Sequence, residues 1–169
     1  MIVTVNTAEL SKAVKLAQGA TTKKGGHLIL EGLHMEVYAG RMCITGFNLE
    51  HSASVEIAAS SDIEIKTKDD EGWAYLAAEY VVDAASLVKA LSALPKKGNA
   101  TLEYVPNEDK PNWGTLHIKA GSASVELPTM PAGNFPAPLL YTKSDIELHC
   151  TFKAGPLVET LKRILPARG

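Results

Sequence analysis

The sequence predicts an α+β fold: antiparallel sheets with two helices on one side, built from internally repeated strand–helix units. Three observations predict it. Tyr80-Val81-Val82 is a β-branched and aromatic run that passes into a helix-periodic stretch, with Leu87, Val88, Leu91 and Leu94 at i, i+1, i+4 and i+7. The same succession occurs near both ends of the chain. Residues 2–5 lead into Leu10, Ala13, Val14 and Ala17, and residues 146–152 lead into Leu157, Val158, Leu161, Ile164 and Leu165. Leu10, Leu87 and Leu157 hold matching places, 87 − 10 = 77 and 157 − 87 = 70 residues apart, and such an interval marks an internal repeat. Between these units lie alternating apolar and polar runs broken by turn residues, the pattern of antiparallel hairpins.

The elements follow in order. Strand 1 covers residues 2–5, and Thr7 is the expected N-cap of helix 1, with Glu9 in the first turn where the helix dipole favours an acid. Gly19 ends that helix, and the basic loop 21–26 follows. Residues 28–38 and 41–47 read as a hairpin joined at Ala39-Gly40, with Leu33, Met35, Val37, Met42 and Ile44 on its buried face. Residues 52–59 form another strand, which 63–66 could prolong, and 68–72 make a charged turn. Asp83 caps helix 2, and Pro95 with Gly98 stops it. Residues 101–105, 115–119 and 123–127 read as strands. The proline-rich stretch 128–138 then breaks the pattern, so residues 1–138 are expected to form one domain and 139–169 the start of a second.

Composition narrows the function. The chain of 169 residues is 46% hydrophobic, enough for a sizeable core, and its net charge of −2 excludes a globally basic nucleic-acid binder but not a basic face. With no secretory signal and no apolar run of about 18 residues, a cytoplasmic protein without membrane association is expected. Cys43 and Cys150, both in strand-like runs, are expected to be buried and reduced.

No catalytic, metal or cofactor set emerges. His27, His34, His51, His117 and His149 are scattered without ligand spacing, and no phosphate loop, nucleophile elbow or paired carboxylates occur. The informative signal is charge on the helices. Lys12 and Lys15 share the polar face of helix 1, Lys89 and Lys96 that of helix 2, and Lys162 and Arg163 lie opposite the leucines of helix 3, while Lys23 and Lys24 add a basic loop. These eight are the candidate DNA-binding residues. From the residues alone the set reads equally as a stripe for a phosphate backbone or as ordinary solvent lysines.

Three short motifs carry a resemblance. Residues 28–50, ending in Thr45-Gly46-Phe47-Asn48-Leu49-Glu50, resemble the leucine-rich hairpin and Thr-Gly-x-Asp-Leu-Glu ending of the first domain of the bacterial DNA polymerase III β subunit family, the sliding clamps. The helix of residues 87–95 resembles the family helix ending in Leu-Pro, and Pro131-Ala132-Gly133-Asn134-Phe135-Pro136 resembles its Pro-Ala-x-Asp-Phe-Pro signature.

The resemblance implies a DNA clamp fold and a non-catalytic processivity factor, whose domains close into a ring around duplex DNA with helices lining the hole. It also implies a polymerase and a clamp loader as partners, and self-association. The chain departs from the family pattern at several positions. Lys24 stands where the family has an arginine, Ala85 and Ser86 where it has a basic pair, and Asn48 where it has an aspartate. These departures leave a second reading open: a clamp-fold interaction module that does not encircle DNA.

Overall fold

The computed structural model describes residues 1–22, 25–62, 76–110, 113–136 and 153–164. The chain divides into two compact units, Met1–Pro138 and Leu139–Gly169. In the first unit the elements run β1 (Ile2–Asn6), α1 (Thr7–Gln18), β2 (Gly32–Tyr38), β3 (Arg41–Phe47), β4 (Ser52–Ser61), β5 (Leu76–Asp83), α2 (Ala84–Ala93), β6 (Asn99–Pro106), β7 (Gly114–Ala120) and β8 (Ala123–Met130). Of the second unit, α3 (Ala154–Ile164) is described. The strand expected at 146–152, with His149 and Cys150, lies outside the described residues, as does the possible strand at 63–66.

The eight strands close into one antiparallel barrel in the order β1-β4-β3-β2-β5-β8-β7-β6. The unit is therefore mostly sheet, a closed barrel with two helices, where the sequence predicts an α+β arrangement of separate antiparallel sheets. Two hairpin-built halves, β1-β4-β3-β2 and β5-β8-β7-β6, are sewn together by long-range pairs such as Val3↔Leu102 and Met35↔Tyr80. No turn signal announces such pairing, because the partners are far apart in sequence.

One buried cluster joins the inward strand residues to both helices. Leu10, Ala13, Val14 and Ala17 of α1 are all buried, as their spacing requires, and so are Leu87, Leu91 and Leu94 in and just after α2. They pack against Val3, Leu33, Met35, Met42, Ile44, Leu102, Leu116 and Ile118. Each fully buried aliphatic side chain contributes about 1.5–3 kcal/mol through apolar area removed from water.

Three local expectations are corrected. Asn6, not Thr7, caps α1: its Oδ1 accepts from the backbone N–H groups of Ala8 (3.0 Å) and Glu9 (3.1 Å). Asparagine can cap while it still closes β1, and Thr7 is drawn into the helix with its side chain buried. Residues Leu28–Glu31 form a 3-10 turn rather than the start of a strand, with Leu30 buried and Leu28 exposed. The apolar run there lacks alternation, and β2 begins only at Gly32, where a Cβ would sit 3.2 Å from the Val82 carbonyl oxygen. Cys43 is half-buried, not buried. Met42 and Ile44 point inward, so Cys43 points outward, and its Sγ lies 3.0 Å from Ser54 Oγ.

The Thr-Gly-x-Asn-Leu-Glu motif has a physical role at the end of β3. Gly46 packs against the last turn of α1, where a Cβ would collide with the carbonyl of Ala17. Asn48 Oδ1 then accepts from the N–H groups of Glu50 (3.0 Å) and His51 (2.9 Å), and Leu49 adopts φ 73° to complete the turn into β4.

Candidate nucleic-acid interface

The two helices of the first unit lie side by side and antiparallel. Ala8, Ser11, Lys12 and Lys15 of α1 line a groove of about 410 Å³ whose other wall is Val88, Leu91, Ser92 and Lys96. At the far end, Lys15, Gln18 and Gly19 meet Asp83, Ala84 and Ala85 at the start of α2. The Thr7 N–H also donates to Gly98 O at 3.1 Å, which fixes the beginning of α1 beside the segment that follows α2.

This packing sorts the predicted basic residues. Lys12, Lys15 and Lys96 face one shared groove, and all three are exposed. They converge because helical spacing places Ala8, Ser11, Lys12 and Lys15 on one stripe at i, i+3, i+4 and i+7. Lys89 is exposed on α2 but does not line the groove. Lys162 and Arg163 are exposed in the last turn of α3, in the second unit. Lys23 and Lys24 lie outside the described residues.

Sequence reasoning missed the rest of the groove. Ser11 and Ser92 place hydroxyls between the lysines, and the Ser92 hydroxyl donates to Lys89 O at 2.7 Å. Val88, grouped with the core stripe by its spacing, packs against the core and also helps to floor the groove. A helical-wheel reading centred on the lysines rather than the leucines would have found Ser11 and Ser92.

The electrostatics are lopsided. Positive charge gathers beside the middle of α1 and the C-terminal side of α2. At the other end stand Glu31 and Asp83, with Asp83 Oδ1 accepting the Ser86 N–H at 2.7 Å as the helix cap. Ala85 and Ser86 are exposed there and carry no charge. Three ammonium groups over a shallow apolar floor suit a chain of phosphates and have no means of reading bases. Among the described residues, no three His, Cys, Asp or Glu side chains gather in a way that could hold a metal ion, and no helix is long and apolar enough to cross a membrane.

Comparison with known proteins finds the same fold. The first unit resembles the DNA polymerase III β subunit of Thermotoga maritima, at 28% identity and a TM-score of 0.64 over 83% of this chain. Caulobacter crescentus pol III beta superposes with a TM-score of 0.65 at 23% identity over 82% of this chain, and the Helicobacter pylori beta clamp with 0.65 at 20% over 84%. Each alignment spans 33% of the other protein, so this chain matches about a third of their length. No curated protein matches the chain. The family model for the N-terminal domain of the DNA polymerase III beta subunit, a non-catalytic processivity subunit, matches residues 1–140. The chain belongs to the DNA polymerase III beta subunit family and carries its N-terminal clamp domain.

Proposed function

We propose that this chain is part of a DNA sliding clamp, which holds a bacterial replicative polymerase on duplex DNA by encircling it with non-specific phosphate contacts. The observation that carries the reading is the gathering of Lys12, Lys15 and Lys96 along one groove between two exposed helices, in a chain whose net charge is −2. A ring holds DNA by topology, so weak, screened contacts suffice and leave the clamp able to slide. Lys89, and Lys23 and Lys24 in the preceding loop, extend the basic surface, and Lys162 and Arg163 supply the equivalent charge on α3.

Ring assembly is supported by strand edges. Among the described residues, β8 meets β5 only at Val81↔Met130 and Val82↔Thr129, so residues 123–128 have a partner strand on the β7 side alone. An unpaired antiparallel edge is a template for a neighbouring chain or domain. Residues 139–169 are read as the opening of a second clamp domain, in line with the unit boundary at Pro138 and the apolar stripe of Leu157, Val158 and Leu161 on α3, exposed within its own unit. A polymerase and a clamp loader follow as partners from the family, with the cytoplasm as the place of action.

The neutral start of α2 favours a second reading, a clamp-fold module that binds proteins and does not encircle DNA. Duplex binding measured across a salt series separates the two. The clamp reading expects sequence-indifferent binding that weakens steeply with salt. The triple substitution Lys12→Ala, Lys15→Ala and Lys96→Ala should flatten the log–log slope by about 2–3, at about 0.9 for each phosphate left without its lysine. Salt-insensitive or sequence-specific binding, or an unchanged slope, would remove DNA from this groove.

A further inference from the structure

The hairpin of β6 and β7 carries a surface that the DNA reading does not use. Its end is organised by Asn107: the N–H donates to Trp113 O at 2.7 Å, and Oδ1 accepts from the N–H groups of Asp109 (2.9 Å) and Lys110 (3.1 Å). Trp113 N–H in turn donates to Lys110 O at 3.1 Å. Strand periodicity then sets what this end presents. Val105 pairs with Thr115, Thr115 pairs with Pro128, and Trp113 lies two residues before Thr115 on the same outward face. Trp113 is 46% exposed and Val105 42%, and Pro128 is exposed beside them. The result is a strip on the outer wall of the barrel in which Val105 and Pro128 flank Thr115 and Trp113 stands just ahead of β7.

Acid flanks the strip. One rung along, the outward residues are Glu103, His117 and Glu126, with His117 Nδ1 3.2 Å from Glu126 Oε1. At the hairpin tip, Glu108 and Asp109 outnumber Lys110. Carboxylates on both sides repel a phosphate backbone and favour a cation. A tryptophan whose backbone is held by hydrogen bonds to Asn107 and Lys110 is a preorganised anchor, which costs little further conformational entropy when a partner covers it.

We propose that the Val105–Trp113–Pro128 strip is a docking surface for a basic peptide segment of another protein, with an apolar residue seated against Trp113 and its cations on Glu103 and Glu126. This surface lies on the outward face of the strands, apart from the α1–α2 groove, and takes in Glu126 and Pro128 from the β8 segment whose edge the clamp reading gives to a neighbouring chain.

The test uses a peptide of four Lys-Leu repeats as the probe, with an octalysine and a peptide of four Glu-Leu repeats as controls. The readout is the indole N–H resonance of Trp113, assigned by its loss in Trp113→Phe. Only the Lys-Leu peptide should shift that resonance, with amide shifts along 115–117, and added salt should weaken it. The double variant Glu103→Gln and Glu126→Gln, both exposed positions, should lower its affinity by about threefold or more. The proposal falls if octalysine acts equally, if the Glu-Leu peptide binds as well, or if the indole is unmoved. It also falls if the indole shifts with protein concentration alone, which would make a second copy the occupant.

Discussion

Gly46 in β3 lies directly against the carbonyl of Ala17 in the last turn of α1, so the helix sits as close to the barrel as two backbones can. Any side chain at position 46 must push the helix away from Ile44 and Met42, which share its core. Gly46→Ala should therefore destabilise the fold by about 1–3 kcal/mol in urea unfolding. Gly133→Ala, where nothing lies within 4 Å, should change it by no more than about 0.5 kcal/mol.

The two caps should be separable from their neighbours. Asn6→Ala and Asp83→Ala each remove a side-chain acceptor at a helix start and should cost about 1 kcal/mol. Thr7 behaves differently. Its hydroxyl is buried and has no hydrogen-bond partner among the described residues, so Thr7→Val should leave stability unchanged or raise it by up to about 1 kcal/mol. Thermal unfolding of the three variants side by side checks the assignment, and a costly Thr7→Val would return the capping role to that residue.

Charge restored at the start of α2 should strengthen duplex binding. Ala85 and Ser86 are exposed beside the end of α1, and Asp83 and Glu31 leave that end of the interface acidic. Ala85→Lys with Ser86→Arg should steepen the salt dependence by about 0.9 for each further phosphate neutralised, without altering sequence preference. Fluorescence anisotropy with two unrelated duplexes reads both quantities.

Two tyrosines set the alkaline limit of the fold. Burial, with the Glu36 carboxylate accepting its hydroxyl at 2.8 Å, pushes Tyr38 up to about 12. Burial also holds Tyr80 far above the ordinary tyrosine value, with Tyr104 stacked on it at 4.9 Å adding to the shift. Because the folded chain keeps these protons longer than the unfolded chain does, the stabilisation is complete below about pH 10 and is lost as pH rises above it. Urea midpoints should fall steadily from about pH 10 upward. Tyr80→Phe should flatten that fall by about 1.4 kcal/mol per pH unit, and absorbance at 295 nm should show both groups ionising late.

Local structure was legible in the order of residues. Apolar spacing placed α1 and α2 with Leu10, Val14, Leu87 and Leu91 inward, Asp83 marked a helix start, and alternation gave the β2–β3 hairpin its buried face. These features depend on neighbours within a few residues, where propensity and periodicity act. The family motifs were also legible, although their reasons were not. Only the fold shows that Gly46 is needed for the approach of Ala17 and that Asn48 closes a turn. Long-range packing settled the closure of the barrel, the antiparallel seating of the helices, and which lysines share a groove. Lys12 and Lys96 line one groove because α1 and α2 pack on one core, and Lys89, with an equally good claim in the sequence, does not line that groove. Such contacts arise from burial across long loops, and no pattern of near neighbours encodes them.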